Sequence, residues 1–121
     1  MININKGASN VGANIKIVKL QNAKHEDEVS RVPRNFFKGD VSTFNSCDHG
    51  TYFTGGGVAR HNHESIEEIF YFIRGTGVVI LDEEEIPVKA GSVVVVPPKS
   101  FHEIKNTGED ILQHIVCSAH V

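Results

Sequence analysis

The stretch GGGVARHNHESIEEIFYFIRGTG, from Gly55 to Gly77, decides the fold of this chain. It contains His61 and His63 at alternate positions, and Glu68 follows them. Because alternate residues of a strand point to the same face, the two imidazoles are predicted to lie side by side. The intervening ESIE is predicted to turn the chain, so that Glu68 opens a second strand that can pair with the first. This pattern predicts a carboxylate beside two histidines.

A second stretch, GSVVVVPPKSFHEIKN, runs from Gly91 to Asn106 and carries His102. Pro97 and Pro98 lack the backbone N–H that ladder pairing needs, so His102 is predicted to begin a new strand. A barrel that brings these strands around one axis would place His102 near the earlier histidines and the carboxylate.

Three neutral imidazoles and one carboxylate are a suitable ligand set for one divalent transition metal per chain, namely Fe, Mn, Ni, Zn, Co or Cu. Calcium and magnesium prefer ligand sets made of oxygen. An octahedral ion held by four side chains keeps two positions for water, oxygen or substrate. The predicted metal ligands are His61, His63, Glu68 and His102.

Size and charge exclude several classes of protein. The 121 residues suit one domain, and the net charge of −3 provides no basic field for nucleic acid or anionic lipid. No apolar run approaches the roughly 20 residues that span a bilayer. The opening MININKGASN lacks the apolar core of a signal peptide. We therefore expect a cytoplasmic protein in which Cys47 and Cys117 are small buried apolar residues, and neither a disulfide bridge nor a nucleophile.

The first half of the chain is harder to interpret than the second. Residues 1–14 are polar and are predicted to form an N-terminal arm, followed by a single domain over residues 15–121. Residues 15–20 are predicted to form a strand, and residues 21–50 an irregular segment with a short helical turn and one short strand. The acidic run Asp82–Glu85 is predicted to be a solvated hairpin turn.

From residue 51 onward, short runs rich in Val, Ile, Phe and Tyr are separated by Gly, Pro, Asp or Asn. No helical period extends over ten or more of these positions. Such spacing predicts an all-β sandwich or barrel. The predicted strands are Thr51–Thr54, Val58–His63, Glu68–Ile73, Thr76–Leu81, Ser92–Val96, His102–Asn106 and Ile111–Ser118.

The two stretches resemble the two sequence motifs of the cupin superfamily. The first motif has the form G-x5-H-x-H-x3,4-E-x6-G, and the second has the form G-x5-P-x-G-x2-H-x3-N. Lys99 is the one departure, because a glycine is usual there, and we expect it to alter the loop and leave the site intact. The matching positions of motif 1 (residues 55–75) and motif 2 (residues 91–106) are Gly55, His61, His63, Glu68, Gly75, Gly91, Pro97, His102 and Asn106.

The resemblance implies an all-β, double-stranded β-helix (jelly-roll) barrel with a metal inside. It implies the same four ligands, and the spacing to Gly75 favours Glu68 over its rivals Glu67 and Glu64. It also implies a homodimer, because small cupins are commonly dimers. The strand over residues 15–20 could add to a partner's sheet and cover its edge.

A second carboxylate or histidine near the metal would be needed to move protons. Glu67 and His114 are the candidate catalytic residues, and Glu64 is a further candidate. His114 lies in the last predicted strand, but whether it faces the barrel interior stays open because that strand has no fixed reference for its parity.

Strand parity also places several neighbours of the predicted site. Phe70 and Phe72 share the parity of Glu68, so they are predicted to face the interior and make one wall of a pocket apolar. Arg60 is predicted to point outward. Tyr52 fits a cavity wall and an outer surface equally well.

Two functions are compatible with these patterns. The first is a metal-dependent enzyme acting on a small oxygen-rich organic substrate, of the dioxygenase type or of the isomerase, lyase or cyclase type. The metal would act as a Lewis acid or would activate oxygen. The alternative is a non-enzymatic module that binds a metal or a small ligand. Under either function the expected partners are a small molecule and a second copy of the chain.

Overall fold

The computed structural model describes residues 31–38 and 44–121. The predicted N-terminal arm and the predicted strand over residues 15–20 lie outside the described residues. Within them no helix is long and apolar enough to cross a membrane. The described residues form nine strands: β1 (Arg31–Lys38), β2 (Phe44–Tyr52), β3 (Gly57–His61), β4 (Ile66–Arg74), β5 (Thr76–Leu81), β6 (Glu84–Lys89), β7 (Val93–Val96), β8 (His102–Lys105) and β9 (Leu112–His120).

The strands form two antiparallel sheets. One sheet has five strands in the order β1-β2-β9-β4-β7, and the other has four strands in the order β3-β8-β5-β6. Neighbours within a sheet are often distant in sequence, since the last strand lies between β2 and β4. This two-sheet arrangement confirms the predicted jelly-roll barrel.

Alternation along the strands directs one set of side chains into the barrel. On β4, Phe70 and Phe72 are buried while Tyr71 between them is exposed, which confirms the predicted parity. Each fully buried aliphatic or phenyl side chain stabilises the fold by about 1.5–3 kcal/mol. Besides these two phenylalanines, the buried core contains Tyr52, Val79, Val88, Val94, Val96, Ile104, Leu112 and Val116.

The prediction for residues 21–50 is wrong for the part that the structure describes. Residues 31–38 form β1 and residues 44–52 form β2, which are long paired strands and not an irregular segment. The sequence signal is weak because β2 is rich in Asn, Ser, Asp, His and Gly, which are poor strand formers. Its pairing with β1 and β9 overrides these local preferences.

The acidic run predicted as a turn contains both a turn and the start of a strand. Asp82 and Glu83 form the turn, and Glu84 begins β6, a strand that the sequence interpretation missed. β6 contains Pro87, which argues against a central strand but is tolerated at an edge. The strand is at the edge of its sheet and buries Val88 toward the core.

Candidate metal centre

Three imidazoles meet at one point inside the barrel, and the Glu68 carboxylate lies beside two of them. A nitrogen from each of His61, His63 and His102 lies within 4.8 Å of the others. The imidazole centroids of His61 and His102 are 4.1 Å apart, and those of His61 and His63 are 5.0 Å apart. The Glu68 carboxylate oxygen Oε1 lies 3.0 Å from Nε2 of His102 and 3.5 Å from Nε2 of His63. We call these four residues the ligand cluster.

The carboxylate reaches the histidines by a different route from the one predicted. Glu68 is on β4, which pairs with β7 and β9, whereas His61 is on β3, which pairs with β8. The two strands of the first motif therefore belong to opposite sheets and do not pair with each other. His61 and His102 are direct cross-strand partners, and Glu68 meets them across the interior.

Backbone carbonyls orient two of the imidazoles. Nδ1 of His61 lies 2.8 Å from the carbonyl oxygen of Ala59, and Nδ1 of His102 lies 3.1 Å from that of Ser100. Since a carbonyl only accepts, each Nδ1 is the N–H donor. Neutral imidazoles in this tautomer carry their lone pair on Nε2, which is the arrangement that metal-ligating histidines adopt.

The closest atoms of the cluster approach each other without forming well-aligned hydrogen bonds. Nε2 of His102 and Oε1 of Glu68 are both fully buried, and neither has a hydrogen bond of good geometry. An orphaned buried nitrogen and carboxylate oxygen cost free energy unless a third group satisfies both. A cation between them would do so, and this donor set of imidazole and carboxylate fits a transition metal.

Electrostatics within the cluster favour charge on one pair. Burial acts against ionisation of Glu68, but its contacts with His102 and the other imidazoles outweigh burial and lower the pKa of the carboxyl. Burial likewise opposes the charged form of His102, but Glu68 and the Ser100 carbonyl raise the pKa of His102. Burial lowers the pKa of His61. The carboxylate is thus available as an anionic ligand.

Lys99 occupies a backbone conformation that suits glycine. Its φ is 70°, in the left-handed region that glycine adopts most readily. Its N–H donates to the carbonyl of His63 over 2.7 Å, and its carbonyl accepts from the side chain of Asn62. The loop of motif 2 therefore holds the segment that carries His63.

A cavity of about 290 Å³ extends from the cluster into the barrel. Its walls include the apolar side chains of Val58, Phe70, Ile104 and Val116. The polar residues Arg31 and Asp48, on β1 and β2, also line it. The cavity therefore combines a nitrogen- and oxygen-rich end with apolar walls.

Tyr52 and His114 form a buried polar pair on the cavity wall. The Tyr52 hydroxyl lies 2.7 Å from Nε2 of His114, and each residue is only 3 % exposed. The imidazole lies against Gly50, where an added Cβ would come within 2.7 Å of the ring. The Phe70 ring lies edge-to-face against the His114 imidazole, with the two ring centroids 5.0 Å apart. His114 therefore faces the interior, which the sequence left open.

The structure separates the candidates for proton transfer. Glu64 and Glu67 are exposed, and Glu67 has the outward parity on β4, so neither is brought to the cluster. Arg60 is exposed as predicted. Sequence interpretation did not single out Arg31 and Asp48, because the strands that carry them were not recognised. Arg31 is the cross-strand partner of Tyr52, which faces the cavity, so Arg31 also faces the cavity.

His114 should make stability sensitive to acid. Burial, with a smaller effect from His49, lowers the pKa of His114 to about 3. As the pH falls below about 6.5, the unfolded chain takes up a proton that the folded chain refuses. Stability is therefore lost as the pH falls between these values, by roughly 1.4 kcal/mol per pH unit. Urea unfolding of the metal-free protein should show a shallower pH dependence for His114→Gln than for the original chain.

The control for this comparison is His120→Gln, since His120 is exposed at the end of β9. This variant should keep the steep dependence of the original chain. Parallel pH profiles for the original protein and His114→Gln would contradict a neutral, buried His114.

A family model described as a cupin domain matches residues 49–117, which is more than half of the chain. An uncharacterized protein of Methanocaldococcus jannaschii is 41 % identical over 58 residues, covering 48 % of this chain and 46 % of that protein. An oxalate-binding protein of Thermotoga maritima is 36 % identical over 61 residues, covering 50 % of each. The chain thus spans about half the length of these relatives.

The fold also matches a solved structure of a predicted oxalate decarboxylase from Thermotoga maritima, with a TM-score of 0.79 and 22 % sequence identity. The match covers 87 % of this chain and 99 % of that one. At this level of identity the likeness shows the fold alone. The family model, together with the two-sheet barrel that carries both motifs, shows that the chain belongs to the cupin family.

Proposed function

We propose that the ligand cluster holds one divalent transition metal per chain. The observation that supports it is the convergence of three imidazole nitrogens and one carboxylate oxygen from opposite sheets. The orphaned Nε2 of His102 and Oε1 of Glu68 would both be satisfied by one cation. Such a metal supplies Lewis acidity toward an oxygen of a bound ligand. His61 and His102 are held in the required tautomer by backbone carbonyls.

Replacing His102 with alanine should abolish metal retention. His102 is 1 % exposed and donates the most deeply buried nitrogen of the cluster, so its loss leaves an incomplete site. Loss of one ligand should weaken binding by at least the 10- to 100-fold that changes to supporting residues cause. Chelator-treated protein, reloaded with Mn²⁺, Fe²⁺, Co²⁺, Ni²⁺, Cu²⁺ or Zn²⁺ and desalted, is measured by elemental analysis.

His120→Ala is the matched control, because it removes an exposed histidine from the same chain. The control should bind one ion per chain, as the original protein does. Equal metal content in His102→Ala and the control would contradict the proposal.

We also propose that the cavity takes a small carboxylate or oxo-carboxylate with an apolar body. The oxygen atoms would point to the cluster, and the body would contact Phe70, Val58 and Ile104. Phe70 lies between the two polar regions, with its ring centroid 6.4 Å from that of His102 and 5.0 Å from that of His114. The likeness to an oxalate-binding protein supports the carboxylate end of this ligand, while the apolar wall favours a larger molecule.

Oxalate and benzoylformate test this proposal, since each offers a pair of adjacent oxygen donors, and in the benzoylformate monoanion a phenyl group replaces one oxygen of the oxalate dianion. The metal-loaded protein should bind benzoylformate more tightly than oxalate in calorimetry. Phe70→Leu should weaken benzoylformate about fivefold, which corresponds to roughly 1 kcal/mol of lost apolar contact. The affinity for oxalate should not change.

Phe44→Leu is the matched control, because it makes the same change at an exposed phenylalanine at the start of β2. It should leave both affinities as they are. Tighter binding of oxalate than of benzoylformate, or an equal loss of both ligands in Phe70→Leu, would contradict an apolar ligand body.

Of the sequence-predicted candidates for proton transfer, only His114 lines the cavity. Glu67 and Glu64 are exposed, and burial keeps the buried His114 neutral by lowering its pKa to about 3. A proton acceptor at this site would therefore be a metal-bound group or another cavity-lining side chain, such as Asp48. We retain a metal-dependent enzyme as the proposed function, with a non-enzymatic metal- and ligand-binding module as the alternative. Ligand binding at full metal occupancy without turnover of any oxo-acid substrate would favour the module.

We further propose that the protein is a homodimer. The outer face of the five-stranded sheet exposes Ile69, Tyr71 and Ile73 on β4, together with Val93 and Val95 on the neighbouring edge strand β7. A row of exposed apolar residues beside a sheet edge favours association. Light scattering should give twice the mass of 13.3 kDa, and a species of 13.3 kDa alone would contradict the dimer. Cytoplasmic location stays a prediction.

A further inference from the structure

The two cysteines of the chain lie opposite each other on the outer side of the five-stranded sheet. Cys47 on β2 and Cys117 on β9 are direct cross-strand partners. Their parity differs from that of the buried residues Val116 and Ser118, so they do not face the cavity. Both are free thiols of intermediate exposure. The Sγ–H of Cys117 donates to Sγ of Cys47 over 3.6 Å.

This separation is suitable for covalent bond formation. Cross-strand partners have Cα atoms about 4.5–5.5 Å apart, which lies within the range of about 4.4–6.8 Å found in disulfides. The two sulfurs therefore need only to approach from 3.6 Å to about 2.05 Å by side-chain rotation. Two thiols on opposite faces of the sheet, or displaced by one position in the strand register, would be too far apart to form this bond.

We propose that Cys47 and Cys117 form a reversible disulfide in response to hydrogen peroxide, and that this bond locks β2 to β9. The proposal does not depend on the ligand cluster. The two strands that it joins also carry the buried polar pair of the cavity wall, since Tyr52 is on β2 and His114 is on β9. The covalent bond would thus hold together, from outside, the strands that form one wall of the cavity.

The chemistry balances with peroxide as the oxidant. The thiolate of one cysteine attacks one peroxide oxygen, which gives a sulfenic acid and hydroxide, and this hydroxide takes up the proton that the thiol had released. The sulfur of the other cysteine then displaces hydroxide from the sulfenic acid, and the proton of its thiol converts this hydroxide to water. In total, two thiols and one peroxide give one disulfide and two waters.

Oxidation of the folded protein tests the proposal. The full chain is exposed to increasing hydrogen peroxide, alkylated with iodoacetamide and measured by intact mass. The expected product is a single chain, not covalently joined to a second, that has lost two hydrogen masses, resists alkylation and regains two reactive thiols after treatment with dithiothreitol. Two thiols that stay alkylatable in folded protein, or disulfides that join only separate chains, would overturn it.

Two serine variants test whether the bond forms through a sulfenic acid. In Cys47→Ser and Cys117→Ser a sulfenic acid on the remaining cysteine has no partner, so dimedone should trap it in at least one of the two variants. Absence of a dimedone adduct from both variants would overturn this route. Neither variant should form the intramolecular disulfide. The folding of both variants is compared with that of the original protein.

The locking role has a separate measurement. The disulfide would close most of the domain into one loop, so it should raise the thermal midpoint of the oxidised protein by roughly 5–10 °C over the reduced protein. Peroxide-treated Cys117→Ser should show no increase. A disulfide that forms without raising the midpoint would overturn the locking role.

Discussion

The structure depends on one constraint, which is that the Glu68 carboxylate on one sheet meets imidazoles carried by the other sheet and by the loop after β3. Glu68 projects from β4, while His61 and His102 project from the paired strands β3 and β8. Oε1 of Glu68 and Nε2 of His102 come within 3.0 Å without a well-aligned hydrogen bond. The proposed cation would satisfy both of these buried atoms at once.

Other residues of the barrel surround the contact between Glu68 and His102 and line the cavity beside it. The phenyl rings of Phe70 and Phe72 follow Glu68 along β4 and fill the interior beneath it. Lys99 adopts a left-handed backbone conformation, and its N–H donates to the carbonyl of His63. On the far side, Tyr52 and His114 place a neutral polar pair against Gly50 and the phenyl rings. The cavity between these regions therefore has a polar end, an apolar wall and a second polar surface.

The sequence could predict those parts of the structure that depend on local spacing. Alternation placed Phe70 and Phe72 inside, and the motif spacing selected Glu68 over the exposed Glu67. It could not predict that β3 and β4 lie in different sheets, because adjacency in sequence suggests a hairpin. The polar strand β2 and the edge strand β6, which contains Pro87, were missed because pairing with distant strands overrides their weak local preferences. The orientation of His114 required the register between β9 and its neighbours.

X-ray absorption spectroscopy of the metal-loaded protein is the most direct test of whether the ligand cluster holds the metal, because it reports the ligands of the ion itself. We expect one ion per chain with only nitrogen and oxygen ligands at about 2.0–2.2 Å, and multiple-scattering features from three imidazoles. These imidazole features should diminish in His102→Ala loaded with excess metal. A spectrum with sulfur ligands, or with no imidazole contribution, would contradict the assignment of the ligand cluster as a metal centre.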